Sequence, residues 1–332
     1  MKQTAVGVIG LGAVGTRTLR YLLQEPALRV SAIWDPAIDS AGHEQVMEAQ
    51  SAGARFADSA DDVVDHSDLI YIATPPKSHR RYAELVLEAG KLCWCEKPLS
   101  VSEVDARAML DAAHRSGLPT AVNFAYASAW CAQSLQSLVG PGTSLGAVRG
   151  MSIRLHFKAW PRPFQAHAKW LAQREEGGFV REVLSHHVYL AHRLLGPLKR
   201  FSHAISYPTA AQAHEYANET EIALIASLQS EQAIAVQVAA MVGGWRDATE
   251  LMVFCDDGAA RISDWYRLDI DDGTGFKNMA ESSNDPRDAA YRRQVAHIAD
   301  FAQGKPHTWA SFEDAWQVQS LIESFLRGRK RP

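Results

Sequence analysis

Short apolar runs at residues 5–9, 29–34, 69–74, 92–95 and 119–124 alternate with segments at 14–24, 41–52, 79–89 and 102–116, whose apolar positions recur at helical spacing. Strands that are apolar throughout, alternating with helices, predict βαβ units and a parallel sheet covered on both faces. After about residue 125 the pattern changes. Met151, Ile153, Leu155, Phe157 and Ala159 alternate with Ser152, Arg154, His156 and Lys158, the period of a strand with one polar face. Residues 220–229, 232–242 and 250–255 read as further strands. Ser230-Glu231 can turn the chain between the first two, and Asp256-Asp257-Gly258 is a hairpin signal after the third. Residues 178–195 read as a helix stopped by Gly196-Pro197, and 286–303 and 312–326 as closing helices. The pattern thus predicts two domains, 1–122 with a parallel sheet and 123–332 with a mostly antiparallel one.

Composition narrows the function classes. The 332 residues suit two domains, and 47% apolar with 22% charged is ordinary for a folded chain. Net charge is -4, and the basic side chains form no stripe of the kind a nucleic-acid binder needs. Neither nucleic acid nor a membrane surface is expected as a partner. The four cysteines (Cys93, Cys95, Cys131, Cys255) lack zinc-finger or thioredoxin spacing and read as core thiols. The opening run is too short for a secretory signal, and no stretch reaches 18 apolar residues. A cytoplasmic location is the expectation.

Gly10-Leu11-Gly12-Ala13-Val14-Gly15 is G-x-G-x-x-G directly after a strand and at the start of a helix, the context that gives this motif meaning. Gly10 permits the tight turn, Gly12 the approach of a pyrophosphate, and Gly15 close helix–strand packing. Ala13 and Val14 then supply N–H donors at the helix N-terminus. Asp35, at the end of the second strand, would bind adenosine ribose hydroxyls and repel a 2′-phosphate. With Pro36 and Ala37 following rather than Arg, the loop predicts NAD over NADP.

Ala73-Thr74-Pro75-Pro76-Lys77-Ser78-His79 follows the next strand of the sheet, and Glu96-Lys97-Pro98 the one after. With the glycine loop, these segments resemble the Gfo/Idh/MocA oxidoreductases. Trp170, Gly177-Gly178 and Glu182 with His186 resemble that family's second-domain motif, and the 256–262 stretch its late hairpin. The resemblance implies an α/β fold: an N-terminal Rossmann dinucleotide-binding domain, then a C-terminal α/β domain with an open, mostly antiparallel sheet. It also implies a homodimer or homotetramer formed through that sheet, and a cis Lys97–Pro98 peptide. Thr74, Pro75, Pro76, His79, Glu96 and Lys97 join Gly10, Gly12, Ala13, Val14, Gly15 and Asp35 as the expected cofactor residues.

Hydride transfer at an alcohol carbon also needs a partner for the substrate oxygen and its proton. Lys97 matches the family lysine, whose cation would stabilise a developing alkoxide; a salt-bridged strand-end lysine is the plainer alternative. His186 matches the family histidine, and Glu182, four residues earlier, would share its helix face and fix its tautomer. Plain surface helices carry such pairs too. His187, turned about 100° away, reads as structural. The family usually has Asp at the position of Glu182 and often at that of Tyr189, so these departures put a sugar substrate in question. Tyr126, Arg162, Tyr189 and Trp245 are further candidates to contact substrate, packing being the competing role for the aromatics. No catalytic metal is expected, because the histidines lack ligand spacing.

The chain therefore reads as an NAD(P)-dependent dehydrogenase or reductase acting on a small polar CH–OH or carbonyl substrate, a sugar, polyol or hydroxy acid. Two alternatives stay open: a non-catalytic dinucleotide or ligand sensor, and an enzyme using tightly held NAD transiently in elimination or hydrolysis.

Overall fold

The computed structural model describes residues 3–37, 44–165, 167–281 and 283–327. Two compact units emerge, Met1–Ser128 with Asp288–Trp316, and Ala129–Arg287 with Gln317–Pro332. Nearly all of the helix Pro286–Ala302 thus belongs with the N-terminal segment.

In the first unit, β1 (Thr4–Ile9), β2 (Leu28–Trp34), β3 (Arg55–Phe56), β4 (Leu69–Ile72), β5 (Leu92–Glu96) and β6 (Thr120–Asn123) form one sheet. Its order is β3-β2-β1-β4-β5-β6 and every pair is parallel. This is the Rossmann order. The chain reverses its direction of travel across the sheet at β1, which opens a crevice at the carboxyl ends of β1 and β4. All four residues of β4 are buried, which is why these strands read as unbroken apolar runs. Each fully buried side chain such as Ile70 or Ile72 contributes roughly 1.5–3 kcal/mol. Tyr71 lies against Trp94, centroids 4.0 Å apart, and Trp94 meets the edge of Trp309 at 5.4 Å.

The expected helices appear as Ala13–Leu22, Glu44–Ser51, His79–Glu88 and Glu103–Ser116. The predicted start of the second, residues 41–43, lies outside the described residues. Three further helices among the described residues, Ala60–Asp65 in the first unit and Trp130–Leu138 and Ala210–Tyr216 in the second, carry no periodic signal long enough to announce them. The first is set by Ser59, whose hydroxyl accepts a hydrogen bond from Asp62 N.

In the second unit, β7 (Val148–Phe157), β8 (Leu198–Ser206), β9 (Ala223–Ser230), β10 (Ala235–Val242), β11 (Ala248–Cys255), β12 (Ala259–Ser263), β13 (Arg267–Asp271) and β14 (Lys277–Met279) form a second sheet. Its order is β14-β13-β12-β11-β7-β10-β9-β8. The β7–β10 pair is parallel and the others antiparallel. The period-two reading holds as far as β7 runs: Met151, Ile153, Leu155 and Phe157 are buried, while Ser152, Arg154 and His156 are not; the strand ends at Phe157, and Ala159, expected on the apolar face, is exposed. The outer face carries Ile225, Met241 and Phe254 exposed. Among the described residues no helix is long and apolar enough to cross a membrane.

Candidate active site

The glycine loop has the geometry that its chemistry requires. Gly10 sits at φ +100°, and a Cβ there would lie 2.7 Å from the Ala73 carbonyl carbon at the end of β4. A Cβ on Gly15 would lie 2.0 Å from Gly10 O, so only glycine lets the helix start this close to β1. At Gly12 a Cβ would meet nothing within 4 Å. Gly12, Ala13 and Val14 are exposed, and the helix Ala13–Leu22 begins without a side-chain cap. Its first N–H groups thus face open space with the positive end of the helix dipole behind them, an arrangement suited to a pyrophosphate. Asp35 Oδ2 accepts from Leu11 N at 2.7 Å and Oδ1 from Ala37 N at 2.8 Å. The half-buried carboxylate is thereby fixed beside the loop, with lone pairs left for ribose hydroxyls. These residues fit a dinucleotide.

Beyond β4, Thr74 and Pro75 lead into a short 3-10 turn over Pro76–Ser78. Pro75 is exposed, Thr74 half-buried and Pro76 buried. The Ser78 hydroxyl donates to Thr74 Oγ1 at 2.8 Å. His79 is fully buried. Its Nε2 lies 2.8 Å from Thr74 O and its Nδ1 3.0 Å from Pro98 O, so the ring ties the segment after β4 to the segment after β5. This expected cofactor residue is therefore placed as a brace between two loops, its ring covered by protein.

Glu96 ends β5 and is buried. Its Oε1 accepts from the Tyr71 hydroxyl at 2.5 Å and from Asn123 Nδ2, and Gln294 Nε2 donates to Asn123 Oδ1. Burial first, then the Glu96 charge, holds the Tyr71 hydroxyl well above its ordinary range, so it stays a donor. The carboxylate is thus anchored by β4, β6 and the helix Pro286–Ala302. Lys97, next along, is half-buried, and its peptide to Pro98 is cis. None of Tyr71, Asn123 or Gln294 was legible as part of this chemistry: two lie in apolar strands, and the third lies in a helix 171 residues beyond Asn123.

In the second unit, Glu182 lies in a π-helical turn, Val180–Leu184, that runs directly into the α-helix Ser185–Leu195 carrying His186. Such turns recur at functional sites. A buried carboxylate sets the start of the π turn: Glu221 Oε1 accepts from Val180 N at 2.8 Å. Gly178, at φ +100°, makes room for it, since a Cβ there would lie 2.4 Å from Glu221 Oε1. Arg181, one residue from Glu182, forms a two-pronged pair with Glu323 at 2.7 and 3.0 Å, both side chains buried. Burial, opposed by the Val180 N–H and by Arg181, leaves the Glu221 carboxyl above its ordinary range. Glu182 and His186 are both nearly covered.

Trp265 meets both histidines, its ring centroid 5.5 Å from that of His186 and 5.6 Å from that of His187. It stands in the loop between β12 and β13, where Asp264 has φ 47° and Trp265 φ 76°. Left-handed backbone costs a side-chain-bearing residue about 1–2 kcal/mol. His187 is fully buried, and its Nδ1 lies 3.1 Å from Val183 O. Burial pushes this imidazole down to about 4, so it is neutral at neutral pH, in keeping with its structural reading.

The remaining candidates fall in different places. Tyr189 is buried, with Arg193 Nη1 donating to its hydroxyl at 3.5 Å. Tyr126 is buried in the first unit. The Arg162 guanidinium lies over Phe157, Trp160 and Phe164, 4.8–5.8 Å from their centroids. Trp245 is 81% exposed, with Arg246 over its ring at 4.7 Å.

Known proteins agree with this architecture. Residues 4–124 match the oxidoreductase family with the NAD-binding Rossmann fold, GFO_IDH_MocA. Inositol 2-dehydrogenase of Cereibacter sphaeroides is 32% identical over 113 residues, 34% of this chain and 33% of that protein. D-apiose dehydrogenase of Paraburkholderia graminis is 32% identical over 221 residues, 63% of this chain and 54% of that protein. The matched region spans 28% to 33% of the first three curated relatives. The solved UDP-N-acetylglucosamine 3-dehydrogenase GnnA of Acidithiobacillus ferrooxidans shares the fold, with TM-score 0.75, 19% identity and coverage of 98% of this chain and 100% of that one. The N-terminal unit is thus an NAD(P)-binding Rossmann domain similar to that of the Gfo/Idh/MocA oxidoreductases.

Proposed function

We propose that this chain is an NAD-dependent oxidoreductase of the CH–OH class, acting on a small polar substrate such as a sugar or polyol. The observation that carries the reading is the loop after β1: open helix-end N–H groups at Gly12, Ala13 and Val14, beside a fixed Asp35 carboxylate. The cofactor, when bound, supplies the hydride donor or acceptor. Backbone N–H groups at Gly12 to Val14 hold its pyrophosphate, and Asp35 accepts from the ribose hydroxyls. The same carboxylate repels a 2′-phosphate, which favours NAD over NADP. Thr74, Pro75 and Pro76 line the cofactor at the end of β4, with His79 bracing them, and Glu96 fixes the segment that carries Lys97.

In this reading the Lys97 ammonium donates to the substrate oxygen and stabilises negative charge developing there. His186 takes the hydroxyl proton in oxidation and returns it in reduction, and Glu182 sets its tautomer. The similarity to inositol 2-dehydrogenase and D-apiose dehydrogenase supports a polyol or sugar. The apolar positions on the outer face of the second sheet support association with a second copy.

The test is calorimetric binding of NAD(H) and NADP(H), followed by an NADH-detected panel of polyols, sugars and hydroxy acids. Preference for NAD(H) and turnover of at least one substrate are expected. Lys97→Ala is expected to lower kcat roughly 100-fold or more with NAD binding retained. Wild-type turnover in that variant would overturn the assigned mechanism, and failure to bind either dinucleotide would overturn the function.

A further inference from the structure

We propose that Trp265 is a positioning residue for His186, and that the strained loop between β12 and β13 exists to hold its ring there. Three observations on different parts of the second unit converge on this. The first is the loop itself. Asp264, Trp265 and Tyr266 join β12 to β13, and the first two have left-handed backbone without a glycine or asparagine among the three. A bulky side chain at positive φ is an outlier that persists only where its surroundings over-determine it. The second is that over-determination. Asp264 N donates to Thr249 O at 3.0 Å, Trp265 N to Thr249 Oγ1 at 3.2 Å, and Cys131 Sγ to Trp265 O at 3.7 Å. Three bonds from two elements fix the backbone on both sides of the indole.

The third is what the ring touches. It meets His186 nearly edge to face, at 72° between planes, and His187 at 51°. An imidazole has two free torsions, and a proton-transfer group must present one chosen nitrogen. His187 is locked by burial and by Val183 O. Trp265 therefore leans on one immobile ring of the helix while limiting the torsions of the other. A loop serving only to join two strands would adopt glycine or asparagine at these positions and lose no packing. The inference rests on the proton-transfer role given to His186 above.

The decisive experiment is side-chain NMR on the full chain with isotope-labelled histidine. His186→Gln assigns the His186 ring signals. In the wild type they should form one set, from one ring orientation and one tautomer. Trp265→Leu keeps apolar volume but removes the ring, and should split or broaden the His186 signals into more than one ring environment. Trp265→Phe should restore the single set. On any substrate found in the panel, Trp265→Leu should lower kcat at least tenfold with KM changed less than threefold, and Trp265→Phe should recover most of it. An unchanged His186 ring signature in Trp265→Leu, or an undiminished kcat, overturns the proposal. Full turnover in His186→Gln would instead overturn the proton-transfer reading, and the NMR result would show separately whether Trp265 orders the ring. If Trp265→Leu does not fold, Trp265→Met takes its place with the same readings: mixed His186 signals support the proposal and an unchanged single set overturns it.

Discussion

His187 makes the stability of the second unit depend on pH in a way that can be worked out in advance. Its ring is fully buried, and burial lowers its pKa from 6.5 to about 4. As pH falls below 6.5 the imidazole of the unfolded chain takes up a proton, while the folded one stays neutral until about pH 4. The unfolded state binds more protons across that window, so stability declines as pH declines and is fully retained only above 6.5. At about pH 4.5 the loss comes to about 2.5 kcal/mol, against a total stability of roughly 5–15 kcal/mol for a typical domain. The perturbation is His187→Leu, which removes the titrating group. It also removes the hydrogen bond to Val183 O, but that cost is the same at every pH. His297 and His307, also pushed down by burial, titrate equally in both proteins. Urea unfolding at about pH 7 and about pH 4.5, followed by tryptophan fluorescence, gives the pH-dependent loss for each. The wild type should lose about 2.5 kcal/mol more than the variant between the two conditions. Equal losses would refute the reasoning, since they would mean that the folded ring accepts its proton as readily as the unfolded one.

Three other outcomes follow from the same geometry. Gly178→Ala places a Cβ against the Glu221 carboxylate on a left-handed backbone, and should cost about 3–5 kcal/mol in urea unfolding, from the backbone and the lost charge-assisted bond to Val180 N. Glu221→Gln keeps an acceptor for Val180 N without the buried charge. Because the fold holds this carboxyl above its ordinary 4.5, the wild type is penalised as pH rises past 4.5; the variant should melt higher at neutral pH, and the gain should fade in acid. Asp35→Ser should weaken NAD(H) binding roughly tenfold and narrow the gap to NADP(H) in calorimetry, about what one lost charge-assisted hydrogen bond is worth.

The sequence pattern and the structure part company where burial is one-sided or short. The strands of the first sheet were legible because both faces are covered, so each is an apolar run with a glycine, proline or polar break at its end. β3 escaped notice because two residues, Arg55 exposed and Phe56 half-buried, make no pattern. β8 escaped for the opposite reason: Lys199, Arg200, Phe201 and Ser202 are all exposed at the edge of the second sheet, so no alternation marks the strand. The helix expected over 178–195 is real but begins as a π turn, because Glu221 and the Arg181–Glu323 pair fix its first residues from distant segments. Local propensity has no access to such a constraint.

The same division runs through the site. Gly10, Gly12, Gly15 and Asp35 could be read from spacing because they act through backbone conformation and a strand end, which are local properties. Glu96 could be found by its motif, but the reason it is held in place could not: Tyr71 and Asn123 donate to it from two strands, and Gln294 of a returning helix holds Asn123. Trp265 carried no signal at all, since Asp-Trp in a tight loop reads as an ordinary hairpin until the positive φ angles are seen. In this chain, residues proposed to touch a ligand lie in short motifs, whereas those proposed to orient them are scattered and buried. A substitution at an orienting position should therefore change the order of a proton-transfer group before it changes binding, which is the signature sought at Trp265.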